Sequence, residues 1–346
     1  MLYGLVKIIA KLAFRFYCRD LKITRPGLLN SEGPLLLAAN HPNSFLDAII
    51  LCTLFKRPVY SLARGDAFKG QMLSRLLLSL KLLPVYRVSE GVENLEENYK
   101  TFDACKEIFK QNGIVLIFSE GRCVNEWHLR PLKKGTARLA LSCWEDDIPL
   151  KVIPVGINYS SFRKFGKNID LYFGEYFTAS DIGTENGFGR SIQEFNQVLK
   201  ARLRHFVYEI ANNNSRELQR TFYRAVPALK KIILGIPAVL GWILNAPLYV
   251  LLKKVTNKIL ASSDHFDSVV VAMLFLTYPV YVSLLTLTAF LLTGQVASLL
   301  LLLLVPFTAW AYVQLKQQLD VQVDTRLSQP GVSPKTTASR NGEAAS

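Results

Sequence analysis

A histidine and an aspartate lie six positions apart, directly after an apolar run, in the segment 40–47 (NHPNSFLD). A neutral imidazole that is held by a carboxylate can take a proton from a hydroxyl and then carry the positive charge that results. On one continuous helix, residues six apart lie about 240° around the axis and would not meet. His41 and Asp47 can therefore form such a pair only if a turn separates them.

The residues between the two favour that turn. Pro42 biases His41 toward an extended conformation, and Ser44 is a good helix N-cap, so we predict that the helix begins after the histidine. An alternative stays open, in which Ser44 and Asp47 only cap the helix and His41 is an ordinary loop residue.

Two further apolar runs end in charged side chains. Glu120, Gly121 and Arg122 follow the run 114–118. An arginine here suits bidentate recognition of phosphate, although a surface Glu–Arg pair would explain the same residues. Arg87 ends the segment 83–87 (LPVYR), where it is either a second phosphate contact or an ordinary exposed arginine.

A proline lies inside a third apolar segment, 152–157 (VIPVGI). A central strand tolerates proline poorly unless the proline lies at a bulge or at an unpaired edge. Pro154 therefore indicates either a kink that lines a pocket or a simple edge strand.

Short apolar runs alternate with longer runs of helical period between residues 20 and 225, which is typical of an α/β fold. The apolar strands favour a largely parallel or mixed sheet with helices on both faces, and ligands bind such sheets at the carboxyl edge. The predicted strands are 34–39, 57–62, 82–87, 114–118, 151–157 and 169–173, and the predicted helices are 44–55, 66–81, 93–112, 132–144 and 188–213.

Charge and hydropathy point to a membrane. Lys and Arg number 41 against 27 Asp and Glu, a formal net charge of +14, which favours an anionic partner. Long apolar runs follow Lys231, and a basic face beside a bilayer gains about 1 kcal/mol per Lys or Arg, so anionic lipid is favoured over nucleic acid. The five scattered cysteines indicate free thiols that pack as small hydrophobes.

Residues 1–19 predict an amphipathic helix in the membrane interface, because Lys7, Lys11 and Arg15 form one stripe and apolar residues fill the other face. A core helix is the alternative. Three apolar stretches near the other end are long enough to matter to a bilayer, at about 232–252, 268–293 and 296–313, and the last two predict a transmembrane hairpin.

The first apolar stretch is interrupted by Pro237, Asn245 and Pro247, and lysines flank both of its ends. This pattern favours a re-entrant or interfacial hairpin, with a third crossing as the alternative, and it would keep residues 1–230 on the cytoplasmic side. The expected organisation is an interfacial helix (1–19), an α/β domain (20–225), membrane-embedded helices (226–316) and a polar, disordered tail (317–346).

Taken in order over residues 34–160, these segments resemble the motifs of the glycerolipid acyltransferase family, which includes glycerol-3-phosphate and lysophosphatidic acid acyltransferases. The segment 40–47 is similar to the first motif, 83–87 to the second, 118–122 to the third and 153–154 to the fourth. Lys133 lies in a Lys-Gly turn similar to the one that follows the third motif. The chain departs from the family pattern in having five residues, not four, between His41 and Asp47, Ser119 in place of proline, and Arg122 directly after Gly121.

The resemblance implies a helix–sheet–helix acyltransferase domain followed by membrane helices. It implies transfer of a fatty acyl group from acyl-CoA or acyl-carrier protein to a hydroxyl of glycerol 3-phosphate or lysophosphatidic acid. His41 would act as general base and Asp47 would orient it. The residues expected to bind substrate are Asn40, Ser44, Arg87, Glu120, Gly121, Arg122, Lys133 and Pro154.

The expected partners are membrane lipids, the acyl donor as a co-substrate and the glycerol-phosphate acceptor, with no cofactor, metal or nucleic acid. His128 and His265 lack a constellation like that of His41. A non-catalytic lipid-binding protein that retains the fold is the alternative function, because the first and third motifs are altered. A transporter is disfavoured, since the apolar stretches lack the ionisable residues of a transport pathway.

Overall fold

The computed structural model of the chain describes residues 2–86, 95–183 and 187–316. Its helices are α1 (Leu2–Tyr17), α2 (Phe45–Leu54), α3 (Gln71–Ser79), α4 (Leu95–Lys110), α5 (Gly135–Glu145), α6 (Phe188–Arg204), α7 (Ser215–Phe222), α8 (Ala228–Leu260), α9 (Phe266–Thr293) and α10 (Leu301–Leu315). Its strands are β1 (Cys18–Thr24), β2 (Leu35–Ala39), β3 (Val59–Arg64), β4 (Leu82–Val85), β5 (Ile114–Phe118), β6 (Lys151–Tyr159) and β7 (Lys167–Phe173).

All of these strands join one sheet, in the order β1-β7-β6-β2-β5-β3-β4. Every neighbouring pair is parallel except β6 with β7, which a short loop connects as an antiparallel pair. The predicted α/β fold with a largely parallel or mixed sheet is therefore confirmed. The edge strand β1 and the short helix α7 were not predicted, since each is short and rich in polar residues.

Helices cover both faces of the sheet. Successive side chains of a strand point to opposite faces, so Leu35 and Leu37 pack on the side of α2 and α7, while Leu36 and Ala38 pack on the side of α4, α5 and α6. All five residues of β2 are buried, which explains why this strand is apolar throughout.

Carboxyl ends and amino ends of strands lie together at one edge of the sheet. The carboxyl ends of β2, β5 and β6 lie there because these strands are parallel neighbours. The amino end of β7 lies there too, because β7 runs opposite to β6, and β1 follows β7 with Cys18 beside Lys167. Tyr17, just before β1, can therefore reach the loop that follows β2, where its hydroxyl accepts from Asn43 Nδ2 at 3.0 Å.

Pro154 lies in a central strand, so the edge-strand alternative was wrong. It is opposite Ala38 of β2, and β7 flanks it on the other side. Its carbonyl accepts a hydrogen bond from Gly174 N at 2.9 Å on the β7 side. The nitrogen and the carbonyl of one strand residue point to the same side, so the proline nitrogen also faces β7. The pairing of β6 with β7 ends there, beside Val155. The missing N–H therefore leaves the ladder to β2 intact.

Three helices in the described residues are long and apolar enough to cross a membrane: Ala228–Leu260, Phe266–Thr293 and Val296–Leu315. The re-entrant or interfacial hairpin predicted for the first stretch was wrong, because α8 continues as one helix through Pro237 and Pro247. Proline is tolerated in such helices where neighbours satisfy the freed backbone groups. The tail 317–346 lies outside the described residues.

The amino-terminal helix turns its apolar side outward. Tyr17 is its buried residue, whereas Leu5, Ile8 and Leu12 are exposed, so the core-helix alternative was wrong. Lys7 Nζ donates to the carbonyl of Phe55, so this member of the cationic stripe contacts the α/β domain, whereas Lys11 and Arg15 are exposed. Contact of the apolar side with a membrane interface stays a prediction.

The close packing of α8 on α10 yields the first test. A Cβ added at Gly241 would overlap the carbonyl oxygen of Thr308, so we expect Gly241→Ala to separate the helices and lower stability by about 1–3 kcal/mol. Gly235 on the same helix has open space at its Cβ position, and Gly235→Ala should stay within about 1 kcal/mol of the parent. Thermal unfolding in detergent micelles measures both, and equal midpoints for the two variants would contradict the packing.

Candidate active site

His41 and Asp47 meet at the sheet edge. His41 Nδ1 lies 2.8 Å from Asp47 Oδ2, and the backbone N–H of Asn43 donates to the same oxygen at 2.8 Å. The chain reverses at Ser44, whose φ is +56°, and α2 begins at the next residue. The predicted contact through a turn is confirmed.

Asp47 is completely buried and therefore needs hydrogen-bond donors to remain a carboxylate. Tyr159 at the end of β6 donates its hydroxyl to Asp47 Oδ1 at 2.7 Å. Burial raises the pKa of Tyr159 well above its usual range, and the charge of Asp47 adds to the rise, so the phenol keeps its proton. With Asp47 only accepting, Nδ1 of His41 carries the ring proton and Nε2 presents a lone pair.

The imidazole is fixed in its plane as well as in its tautomer. Its ring stacks on Phe118 with centroids 3.9 Å apart and an interplanar angle of 10°. The side chain is 17% exposed, and within the described residues Nε2 makes no hydrogen bond. The arrangement therefore offers one fixed proton acceptor to a hydroxyl that approaches the sheet edge.

Glu120 ties two loops together. One carboxylate oxygen accepts from His41 N at 2.8 Å, and the other accepts from Arg130 N at 2.9 Å. The side chain is buried, and desolvation raises the pKa of Glu120 above its usual value. These bonds indicate that Glu120 positions the backbone of His41.

Position 121 requires a glycine, because Lys133 lies directly over it. The φ of Gly121 is +66°, and a Cβ at this position would lie 2.9 Å from Cγ of Lys133. Lys133 therefore crosses directly over the glycine, with its backbone held by Ser119 O at 2.7 Å. Lys133 and Arg122 are both exposed, so two cations flank the turn after β5. Arg87 lies outside the described residues.

Asn40 has a structural connection that the motif did not reveal. Its amide oxygen accepts from Ile157 N at 2.7 Å, and its amide nitrogen donates to Ile157 O at 3.0 Å. The buried amide thus joins β2 to β6 just below His41, which indicates a positioning role in place of the predicted substrate contact. Pro154 is likewise buried within the sheet, below the edge.

Ser44 does not cap α2 with its side chain, so the capping alternative was wrong. Its Oγ lies 2.6 Å from Nδ1 of His265, and its backbone N–H donates to Cys123 Sγ at 2.9 Å. In the sequence, His265 lacks a constellation like that of His41. In the structure it contacts the loop that holds the His41–Asp47 pair, called the dyad below. Only the fold brings it there, from the turn between α8 and α9.

A second buried carboxylate, Asp267 at the start of α9, was missed in the sequence. Its Oδ2 accepts from Asn43 Nδ2 at 2.9 Å and from Lys167 Nζ at 2.5 Å, and the hydroxyl of Tyr17 also donates to it. Asp267 therefore joins α1, β7 and the His41 loop to a membrane helix. An acid at the head of an apolar stretch was the only sequence signal.

Residues 20–158 match the protein-family model described as Acyltransferase. Glycerol-3-phosphate O-acyltransferase 1 of Saccharomyces cerevisiae is 35% identical over 71 residues, which cover 20% of this chain and 9% of the yeast protein. The crystal structure of the 1-acyl-sn-glycerophosphate (LPA) acyltransferase PlsC from Thermotoga maritima aligns with a TM-score of 0.41 and 12% identity, over 59% of this chain and 78% of that chain.

The matched segment thus contains most of the mainly parallel sheet. It also contains the histidine–aspartate pair at the edge of that sheet. Over residues 20–158 the chain carries a domain of the acyltransferase family. The resemblance to glycerolipid acyltransferases is confirmed there. The match spans about a tenth of the yeast relative, so the activity of that whole protein is not transferred with it.

The buried ion pair between Asp267 and Lys167 yields the second test. Both side chains are at most 2% exposed, so Asp267→Asn should leave a buried cation unpaired and destabilise the protein by about 3–5 kcal/mol. The double variant Asp267→Asn/Lys167→Met should recover most of that loss. Chemical denaturation in micelles gives both values, and a single variant as stable as the parent would show that the pair is not buried.

Proposed function

We propose that the chain transfers a fatty acyl group from a thioester donor to a hydroxyl of a glycerol-phosphate acceptor, with His41 as general base. One observation carries the proposal: a buried carboxylate holds Nδ1 of His41 while Nε2 stays without a protein partner in the described residues. The acyltransferase-family domain around it supports the reaction class.

The geometry supports a direct transfer. Nε2 of His41 takes the proton of the acceptor hydroxyl as its oxygen attacks the thioester carbonyl. The tetrahedral intermediate then collapses by breaking the carbon–sulfur bond, and the imidazolium returns the proton to the leaving thiolate. Asp47 stabilises the imidazolium between these steps, as buried carboxylates do for other catalytic histidines. This sequence needs neither a covalent acyl-enzyme nor a cofactor.

The acceptor phosphate would be bound by cations beside the dyad. Arg122 and Lys133 flank the turn that Glu120 ties to His41, and Arg87 is proposed as a third contact from its place after β4. The yeast relative is named for glycerol 3-phosphate, and lysophosphatidic acid presents the same phosphate beside a free hydroxyl. Acyl-CoA and acyl-carrier protein both fit the excess of positive charge.

A site at a membrane surface suits this reaction, because the product is a lipid and the donor is water-soluble. The head of α9 contacts the His41 loop through Asp267, so the dyad lies close to the end of a membrane helix. We propose that this end, with the α/β domain, lies on the cytoplasmic side, where the lysine-rich flanks of α8 favour it.

The dyad is tested by His41→Ala. The variant should lose acyl transfer by on the order of 10³-fold or more, because the imidazole that accepts the hydroxyl proton is removed, while membrane association persists. His128→Ala is the matched control, since that exposed histidine pairs with Glu209 and not with Asp47. Product formation from labelled acyl-CoA measures both, and lipid binding without detectable transfer by the parent would favour the non-catalytic alternative.

The phosphate contact is tested by Lys133→Ala. A lost charge-assisted hydrogen bond should raise the acceptor KM about tenfold and leave kcat nearly unchanged, if the bond is equally strong in the ground and transition states. Lys134→Ala removes an equally exposed neighbouring charge and should change KM less than twofold. Steady-state kinetics with glycerol 3-phosphate and with lysophosphatidic acid would also show which acceptor is preferred, and equal effects of the two variants would contradict a direct contact.

A further inference from the structure

A cavity of about 680 Å³ lies between the α/β domain and the membrane helices. Its lining comes mainly from the loop between β6 and β7, the last turns of α8 and the turn between α8 and α9, with Asn125 and Trp127 from the loop after β5 and Asn212 from the loop before α7. It is separate from the Nε2 side of the dyad, since His41 is not among its lining residues.

The lining carries an unusual concentration of positive charge. Arg163 and Lys164 come from the β6–β7 loop, and Lys253 and Lys254 come from α8, against one lining carboxylate, Asp264. Asp264 is already an acceptor for the backbone N–H of Asn125 at 3.0 Å. Four cations around one cavity repel one another, so the space between them favours an anion.

Contacts with α8 and α9 hold Arg163 in place. Arg163 donates to Ala261 O at 2.7 Å, and its guanidinium lies 4.2 Å from the centre of the Phe266 ring. This anchors the β6–β7 loop to the α8–α9 turn. The loop therefore presents Arg163 and Lys164 to the same space as Lys253 and Lys254 of α8.

The face of α8 that lines the cavity changes from apolar to cationic along the helix. Val250, Lys253, Lys254 and Asn257 recur at helical spacing, so they lie on one face of α8. Towards the amino end of α8 the same face continues with Val239 and Ile243, which are both exposed and apolar. A gradient from apolar to cationic fits an amphiphile whose chains run along α8 better than it fits a soluble phosphate ester.

We infer that this cavity binds the phosphate headgroup of an anionic membrane phospholipid. The lipid phosphate lies among Arg163, Lys164, Lys253 and Lys254, and its acyl chains leave past Val250 along α8. The site goes beyond acyl transfer and does not depend on it. It is separated from the catalytic loop by one residue, because Asn125 lines the cavity and donates to Pro42 O at 2.7 Å.

The test uses the full chain in micelles of a zwitterionic detergent, with labelled phosphatidylglycerol and phosphatidylcholine of equal chain length as probes. Phosphatidylglycerol is not a product of the proposed reaction, so its binding reports on the cavity. We expect saturable binding that is tighter for phosphatidylglycerol. Lys254→Gln should weaken it about fivefold, the change that corresponds to roughly 1 kcal/mol per basic residue near a headgroup.

Lys258→Gln is the matched control, because Lys258 is exposed one turn further along α8 and does not line the cavity. It should change the affinity less than twofold, and His41→Ala should leave the affinity unchanged, which separates this inference from the catalytic proposal. Equal weakening by the two lysine variants, or equal binding of phosphatidylcholine, would overturn the inference. Displacement of the lipid by equimolar inorganic phosphate, glycerol 3-phosphate or CoA would reassign the cavity to a soluble phosphate compound.

Discussion

The buried carboxylate of Asp47 is the constraint around which the sheet edge is organised. A fully buried carboxylate is costly unless donors surround it, and here an imidazole, a backbone N–H and a phenol supply them. Two of these donors come from the loop after β2, and the third comes from the end of β6. Meeting the hydrogen-bonding needs of one side chain therefore sets the tautomer of His41, the turn at Asn43 and the position of Tyr159 relative to β2.

A second carboxylate extends the same principle to the membrane helices. Asp267 satisfies Lys167, Tyr17 and the side chain of Asn43, so the head of α9 contacts the loop whose backbone N–H binds Asp47. The two carboxylates are thus linked through a single residue, Asn43. This link gives a physical reason why the membrane helices and the catalytic domain act as one structure, and why the dyad lies beside a helix end.

The α8–α9 turn has contacts on two sides. Towards the dyad, His265 meets Ser44 and Asp264 meets Asn125. On its other side it closes a cationic cavity with the β6–β7 loop. A lipid headgroup in that cavity would be separated from His41 by the side chain of Asn125 and the carbonyl of Pro42. On the two proposals, lipid recognition and proton transfer take place on neighbouring surfaces, as expected for chemistry at a bilayer surface.

Much of this could be predicted from local sequence. The alternation of apolar runs and helical periods located the strands from β2 to β7, and the order of the motifs identified the acyltransferase domain. The turn between His41 and Asp47 was predictable because Pro42 and Ser44 restrict their own backbone. The course of α8 was not, since proline and lysine signal a break locally, whereas packing on α10 keeps the helix continuous.

The amino-acid sequence by itself determined the fold class, the apolar helices α9 and α10 and the histidine–aspartate pair, because each depends on local patterns of residue type. Tertiary structure alone decided which polar groups hold that pair. Tyr159 is 112 positions from Asp47, and Asp267 is 224 positions from Asn43. A charged or phenolic residue reads the same in a sequence whether it is buried or exposed, and only the folded chain shows which of them share a dry interior and must therefore pair.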